Sequence, residues 1–364
     1  MSGRRSEDGA VHAAYWHPEG SKLRCDLCPQ RCLIDDGKVG FCGTRSNVRG
    51  GMIALNYGKV CVSAVDPIEK KPLYHFHPGT KLYSLGTFGC NLDCGNCQNS
   101  TLARLSADRA PFVMTSPEQV AKDAIEKGAK GVAFTYNEPT VWIEFILDVA
   151  ALLRQAGLLI VLNTNGFIEP WAADDLYDMV DAANIDVKGM SDAFYGRQCR
   201  GKLGPVLESC IAAREAGVHI ELTYLLIPDM NDSAEEVARF ASWVVRELGE
   251  VVPVHLYRFH PAYRMSDVPA EDMVVVERSY KVAKEKGLDY VYVGGVAGDP
   301  RQDTRCPRCG NLLIKRSSKE PVEPTFVLGD KMSRFCPTYA EVSVLIRGGE
   351  CPKCGLSIPV VLKG

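Results

Sequence analysis

Eleven of the fifteen cysteines in this chain fall into three groups whose spacings suit soft-metal chemistry. Cys25, Cys28, Cys32 and Cys42 follow C-x2-C-x3-C-x9-C; Cys90, Cys94 and Cys97 follow C-x3-C-x2-C; Cys306, Cys309, Cys351 and Cys354 form two C-x2-C pairs. Thiolate sulfur favours zinc and iron–sulfur clusters over hard cations. The middle group lies in FGCNLDCGNCQNS (88–100), directly after the β-rich run KLYSLGTF (81–88). Three thiolates on one tight loop can wrap a cubane iron–sulfur cluster and leave its fourth iron without a protein ligand. An open iron binds a small chelating molecule and passes an electron into it, which a fully ligated cluster cannot do. A zinc ion borrowing a fourth ligand from elsewhere is the bland alternative.

The outer groups differ in character. CPRCG and CPKCG are rubredoxin-like turns that place Cys306, Cys309, Cys351 and Cys354 around one ion. Zinc is expected there, because it is redox-inert and braces a segment too short to hold its own core. Such a module either caps the barrel mouth or meets a protein partner. At Cys25, Cys28, Cys32 and Cys42 two occupants meet the spacing, a closed zinc site or an auxiliary iron–sulfur cluster. Cys61, Cys199, Cys210 and Cys336 stand alone and read as structural or surface thiols.

These loops need a scaffold. Strand-like runs at 81–88, 131–136, 158–166, 182–189, 219–227, 252–259 and 288–295 alternate with helical ones at 116–129, 139–157, 170–181, 204–217, 231–249 and 270–287. Near-continuous apolar strands separated by helices argue for a parallel sheet covered by helices, closed as a barrel or partial barrel or wound flat. In a barrel, functional residues sit at the C-terminal strand ends. Cys90, Asn137-Glu138, Asn163 to Asn165, Asp186 with Lys188, and His260 all fall at such positions.

Composition agrees. The 364 residues are 46% apolar and 24% charged, with a net charge of -3, as in an ordinary globular protein of one large barrel or two to three compact domains. The ends are mildly basic and the middle acidic, without the concentrated basic stripe of a nucleic-acid binder. No apolar run has the length of a membrane span. The start, MSGRRSEDGA, lacks the apolar stretch of a signal peptide, so a cytoplasmic protein with reduced thiols is expected.

The segment DPIEKKPLYHFHPGTKLYSLGTFGCNLDCGNCQN (66–99) resembles the radical S-adenosylmethionine (SAM) enzymes. More narrowly, it resembles the radical SAM component of the AmmeMemoRadiSam system, a relative of pyruvate formate-lyase activating enzymes. The likeness extends to the N-terminal cysteines, TYNEPT (135–140), FHP (259–261) and the terminal knuckles. It implies an α/β fold: an N-terminal Cys-rich segment (1–65), a partial (β/α)6-type barrel (66–299) and a zinc-ribbon-like module (300–364). It implies a [4Fe–4S] cluster on Cys90, Cys94 and Cys97, cleavage of SAM to a 5′-deoxyadenosyl radical, and hydrogen abstraction from a substrate. A glycyl-radical activase acting on a partner protein is the alternative; a zinc-scaffolded binding module is the reading from another class. The implied partners are SAM, an electron donor such as flavodoxin or ferredoxin, and the AmmeMemoRadiSam companion proteins.

Carried over by residue, Asn137-Glu138-Pro139 stands where these enzymes keep Gly-Gly-Glu-Pro, which implies SAM contacts at Asn137 and Glu138, with Glu138 accepting from the methionine ammonium. Asn163 takes a polar SAM contact, and Asp186 and Lys188 match the pair that holds the ribose hydroxyls and the SAM carboxylate. Asn96 replaces the usual aromatic residue before the third cysteine, which leaves a backbone contact. The stretch between the knuckles, including KRSSKEPVEPTF (315–326), is longer than in the family and is expected to be an inserted loop. Each residue also has a structural reading: Glu138 as a helix cap, Asp186 and Lys188 as an ion pair, His260 as a packed histidine rather than a substrate-side group, His75 and His77 as satisfied turn imidazoles.

Overall fold

The computed structural model describes residues 10–319 and 338–362. At its centre is a sheet of β1 (Val62–Pro67), β2 (Lys81–Gly86), β3 (Gly131–Phe134), β4 (Leu159–Thr164), β5 (Ala182–Asp186), β6 (His219–Leu226), β7 (Val254–Arg258) and β8 (Val291–Gly294). The strands lie side by side in chain order. β2 to β8 are parallel, and β1 runs antiparallel to β2. The crossovers carry α1 (Pro117–Glu126), α2 (Ile143–Gln155), α3 (Pro170–Tyr177), α4 (Leu203–Glu215), α5 (Ala234–Glu247) and α6 (Met273–Glu285). This is the expected partial (β/α)6-type barrel, open because β1 and β8 each pair along one edge only.

Local chemistry explains the elements. Ile160 and Leu162 of β4 pack into the large core beneath the helices, while Val161 joins a smaller core on the other face. Both faces are covered, so the strands read as continuous apolar runs. Ser116 and Ser233 accept from the backbone N–H groups of Gln119 and Glu236 and start α1 and α5. The helix expected from Pro139 opens instead as a 3-10 turn, Pro139–Trp142, before α2.

The N-terminal segment is not a separate body. Its strands Trp16–Glu19, Lys22–Cys25 and Leu33–Ile34 form one small sheet, and Arg45–Val48 pairs with Gly51–Ala54. Leu27, Ile34 and Met52 share the large core with the barrel. The boundary expected at residue 65 falls inside β1, which the sequence reading had not separated from the N-terminal segment.

The C-terminal module is an antiparallel sheet of Thr304–Arg305, Leu312–Lys319 and Thr338–Val344. Leu313, Ile314, Ile346 and Ile358 pack on Tyr74, Tyr290 and Tyr292. Since Tyr290 and Tyr292 stand at the start of β8, the module closes the end where the parallel strands begin. It does not cap the mouth that carries Cys90. Cys336 and most of the expected inserted loop lie outside the described residues. Among the described residues, no helix is long and apolar enough to cross a membrane.

Candidate active site

After β2 the chain enters the loop bearing Cys90, Cys94 and Cys97, all partly buried. Gly89 (φ +90°) passes so close to the N-terminal segment that a Cβ would stand 2.6 Å from the Cys42 carbonyl oxygen. Only glycine fits there. The Asn137 side chain brackets the same stretch, accepting from Thr87 N–H at 2.9 Å and donating to the Gly89 carbonyl at 3.0 Å. The far flank rests on a π-helical turn, Tyr195–Cys199: Asp93 N–H donates to Cys199 O at 2.8 Å and Gly95 N–H to Gln198 O at 2.9 Å. Arg264 reaches Asp93 at 2.5 Å, and Asn96 Oδ1 accepts from Gln198 at 3.1 Å.

Burial pushes the Cys90 thiol up and Cys97 up to about 11. Cys94 moves the other way: a hydrogen bond with Cys199 lowers it, and the Lys188 ammonium adds to this against the cost of burial. Leu92 N–H and Asn165 Nδ2–H lie 3.5 and 3.7 Å from Cys90 Sγ. Sulfurs approached by N–H donors and faced by an ammonium suit an anionic, thiolate-bound iron–sulfur cluster.

The rim residues gather beside this loop. Glu138 is buried, which raises its carboxyl. Its Oε1 accepts from Thr164 Oγ1–H at 2.6 Å and Thr140 N–H at 2.9 Å, and Oε2 accepts from Asn165 N–H at 2.8 Å. Glu138 thus caps the 3-10 turn, as the structural reading held, and Oε2 keeps a lone pair for one further donor. Asn163 is half-buried on β4 and lies in register with Asn184 of β5. Asp186 and Lys188 form an ion pair at 2.9 Å, with side chains 33% and 22% exposed, so both keep surface for a ligand. Burial opposes the Lys188 charge, but Asp186 and the thiols of Cys94 and Cys199 raise it overall.

His260 follows β7, its Nε2 lying 2.9 Å from Gly295 O, so it is held against the end of β8. Cys199, Gln198 and Arg264 support the cluster loop; Cys199 has the structural role expected of it, while Gln198 and Arg264 carry no signal in the sequence. Cys199 carried no spacing signal, because its contact arises from the turn after β5. Asn165 carries no sequence signal beyond its place at a polar strand end.

At the C-terminal site the Cys306–Cys354 and Cys309–Cys351 sulfur pairs stand 3.6 and 3.7 Å apart. All four sulfurs lie within 4.8 Å of one another, the packing of ligands around a single ion. Cys25, Cys28, Cys32 and Cys42 instead line a hollow together with Phe41 and Arg45. Burial lifts Cys25 to about 11 and Cys28 well above its ordinary value.

A parallel β/α sheet places a cysteine triad after its first parallel strand, an arrangement suited to holding an iron–sulfur cluster at the strand ends. Residues 84–241 match the family described as the Radical SAM superfamily, and the chain belongs to it. Over 94% of its length the chain is 39% identical to an uncharacterised protein of Methanocaldococcus jannaschii, covering 97% of that protein. It is also 22% identical to the pyruvate formate-lyase-activating enzyme of Clostridium pasteurianum, over 54% of this chain and 87% of that one. A radical SAM methyltransferase structure from Sphaerobacter thermophilus aligns with TM-score 0.47 at 18% identity, over 65% of this chain and 71% of that one.

Proposed function

We propose that this protein binds a [4Fe–4S] cluster through Cys90, Cys94 and Cys97, reductively cleaves SAM, and abstracts hydrogen from a substrate. The observation that carries the reading is the strand-end rim itself: Asn165 bridges Cys90 Sγ and Glu138, and the Asp186–Lys188 ion pair stands at the end of the next strand. When bound, the cluster supplies the electron that opens a carbon–sulfur bond of SAM. The chain's own residues bind and orient. Glu138 offers its remaining Oε2 lone pair to the methionine ammonium. Lys188 pairs the carboxylate, and Asp186 accepts from ribose hydroxyls. Asn163 adds a polar contact, and Asn96 contributes through its backbone. The Asn137 side chain is already engaged with Thr87 and Gly89, so its role is to hold the loop.

The 3.6 and 3.7 Å sulfur pairs support zinc as a structural ion at the C-terminal module, where tetrahedral bonds of about 2.3 Å are expected. A flavodoxin or ferredoxin supplies the electron in the cytoplasm, and the AmmeMemoRadiSam companion proteins are the partners. His260 belongs to the substrate side of the mouth. The similarity to an activating enzyme favours one second reading, a glycyl-radical activase. A glycyl-radical EPR signal in a candidate partner protein distinguishes it.

The test is Cys94→Ala. Dithionite-driven release of 5′-deoxyadenosine from SAM is expected to vanish while circular dichroism stays unchanged. Continued release would sink the assignment.

A further inference from the structure

The N-terminal cysteines present a different problem from the other two groups. Cys25, Cys28, Cys32 and Cys42 line one hollow, whose other walls include Leu27, Ile34, Phe41, Val141 and Arg45. Comparison within the molecule separates the two occupants that their spacing admits. At the C-terminal site the sulfurs have closed to 3.6 and 3.7 Å, as four bonds of about 2.3 Å to one zinc ion require. Among the described residues, the N-terminal sulfurs form no such closed set, although all four line the same hollow. A cubane cluster spaces its four ligand sulfurs more widely than a single zinc ion does, so it needs no closed set.

The donors around the hollow agree. Phe41 N–H points at Cys32 Sγ at 3.3 Å. Arg45, 1% exposed, gives Nη1 and Nη2 to Glu144 at 2.5 and 3.0 Å, yet its buried Nε has no partner. An unmet buried donor costs about 1–3 kcal/mol. Cluster sulfurs accept N–H bonds, and their acceptance tunes potential.

We propose that Cys25, Cys28, Cys32 and Cys42 bind a second [4Fe–4S] cluster, fully ligated by protein, that relays single electrons to the site at Cys90, Cys94 and Cys97. Four thiolate ligands leave no iron open, so the second site carries electrons and does not chelate substrate. The two sites share a wall. Gly89, next to Cys90, lies against the Cys42 carbonyl, and Gln30 Nε2 donates to Asn91 O at 2.9 Å and to Arg200 O at 2.7 Å. One electron enters from a low-potential flavodoxin- or ferredoxin-type donor, and the same electron passes to the triad site, so the second site returns to its starting charge. The relay rests on the proposed SAM cleavage; the presence of the second cluster does not.

The experiment begins with the Cys90→Ala, Cys94→Ala, Cys97→Ala triple variant, reconstituted anaerobically with iron and sulfide. About four irons and four acid-labile sulfides per chain are expected to remain, with a reduced-cluster EPR signal indifferent to SAM. Zinc without sulfide overturns the proposal. As a second arm, wild type is expected to hold about eight irons and the Cys28→Ser, Cys42→Ser variant about four. Equal iron in the two overturns it equally. The relay is read with reduced flavodoxin as donor: 5′-deoxyadenosine formation in the double variant is expected to fall about tenfold or more, and an unchanged rate removes the relay. If wild type releases no 5′-deoxyadenosine under dithionite, the proposed activity fails while the iron and sulfide counts still report on the second cluster.

Discussion

Asn137 Nδ2–H donates to the Gly89 carbonyl at 3.0 Å, so the end of β3 holds the residue that precedes Cys90. Its Oδ1 at the same time accepts from Thr87 N–H. Asn137→Asp keeps that acceptor but turns a carboxylate oxygen towards the Gly89 oxygen. The expected outcome is loss of iron on gel filtration and about tenfold less 5′-deoxyadenosine, at a cost of about 1–3 kcal/mol in stability. Iron per chain and urea midpoints check both. Full iron retention would show that the loop does not need this bridge.

Glu138 has three donors and room for one more. Glu138→Gln keeps one oxygen for Thr164 and Thr140 but sets an amide N–H2 against Asn165 N–H or against the incoming ammonium. SAM binding is expected to weaken about tenfold, with iron content unchanged, because the charge-assisted bond is lost without touching the thiols. Equilibrium dialysis with labelled SAM reads the effect. Equal affinity would confine Glu138 to its capping role.

The alternation of apolar strands and helices made β2 to β8 legible, because burial on both faces leaves uninterrupted runs such as 132–134 and 158–162. Cysteine spacing and strand-end polarity likewise pointed to Cys90, Cys94, Cys97, Glu138, Asp186 and Lys188 as one rim. Other features depend on contacts distant in sequence and carry no local signature. β1 exposes Val65 and lacks a continuous apolar run, and it takes its place by pairing with β2. Cys199 meets Cys94 through a π-helical turn, which has no compositional mark. The placement of the C-terminal module follows from Tyr74, Tyr290 and Tyr292, whose apolar faces look like any other aromatic residues in sequence.

Arg45 and Glu144 join the N-terminal segment to α2 with both side chains almost fully buried. Such a pair adds little compared with an apolar replacement, but losing one partner leaves a bare charge in the core. Glu144→Ala also removes the acceptor of Ala14 N–H at 2.8 Å. A loss of about 3–5 kcal/mol is expected from urea denaturation. Glu144→Gln, which preserves shape and acceptor, is expected to lose less. Near-neutral results for both would mean that water solvates Arg45.

His75 makes stability depend on pH at the other end of the barrel. Its Nδ1 lies 3.0 Å from Pro359 O and its Nε2 2.5 Å from Tyr292 Oη, while Val361 N–H donates to its carbonyl. Burial lowers its imidazole to about 3, and burial also lowers neighbouring His255. Glu221, which accepts from His75 N–H, is pushed down despite its burial by bonds with His219 and His255. An unfolded His75 takes up a proton near its ordinary 6.5, whereas the folded one refuses it until far lower pH. Its contribution to stability is therefore complete above pH 6.5 and drains away as pH falls towards 3. One such group loses about 2 kcal/mol between pH 6.5 and 5. Wild type should show this fall in urea midpoints, and His75→Gln should be weaker at pH 7.5 but flatter on acidification. Because Pro359 and Val361 lie just beyond Cys354, acid should also loosen the C-terminal module, seen as faster capture of its metal by a chelator at pH 5 than the pH dependence of free thiols explains. A slope unchanged in His75→Gln would move the acid sensitivity to His255 and Glu221.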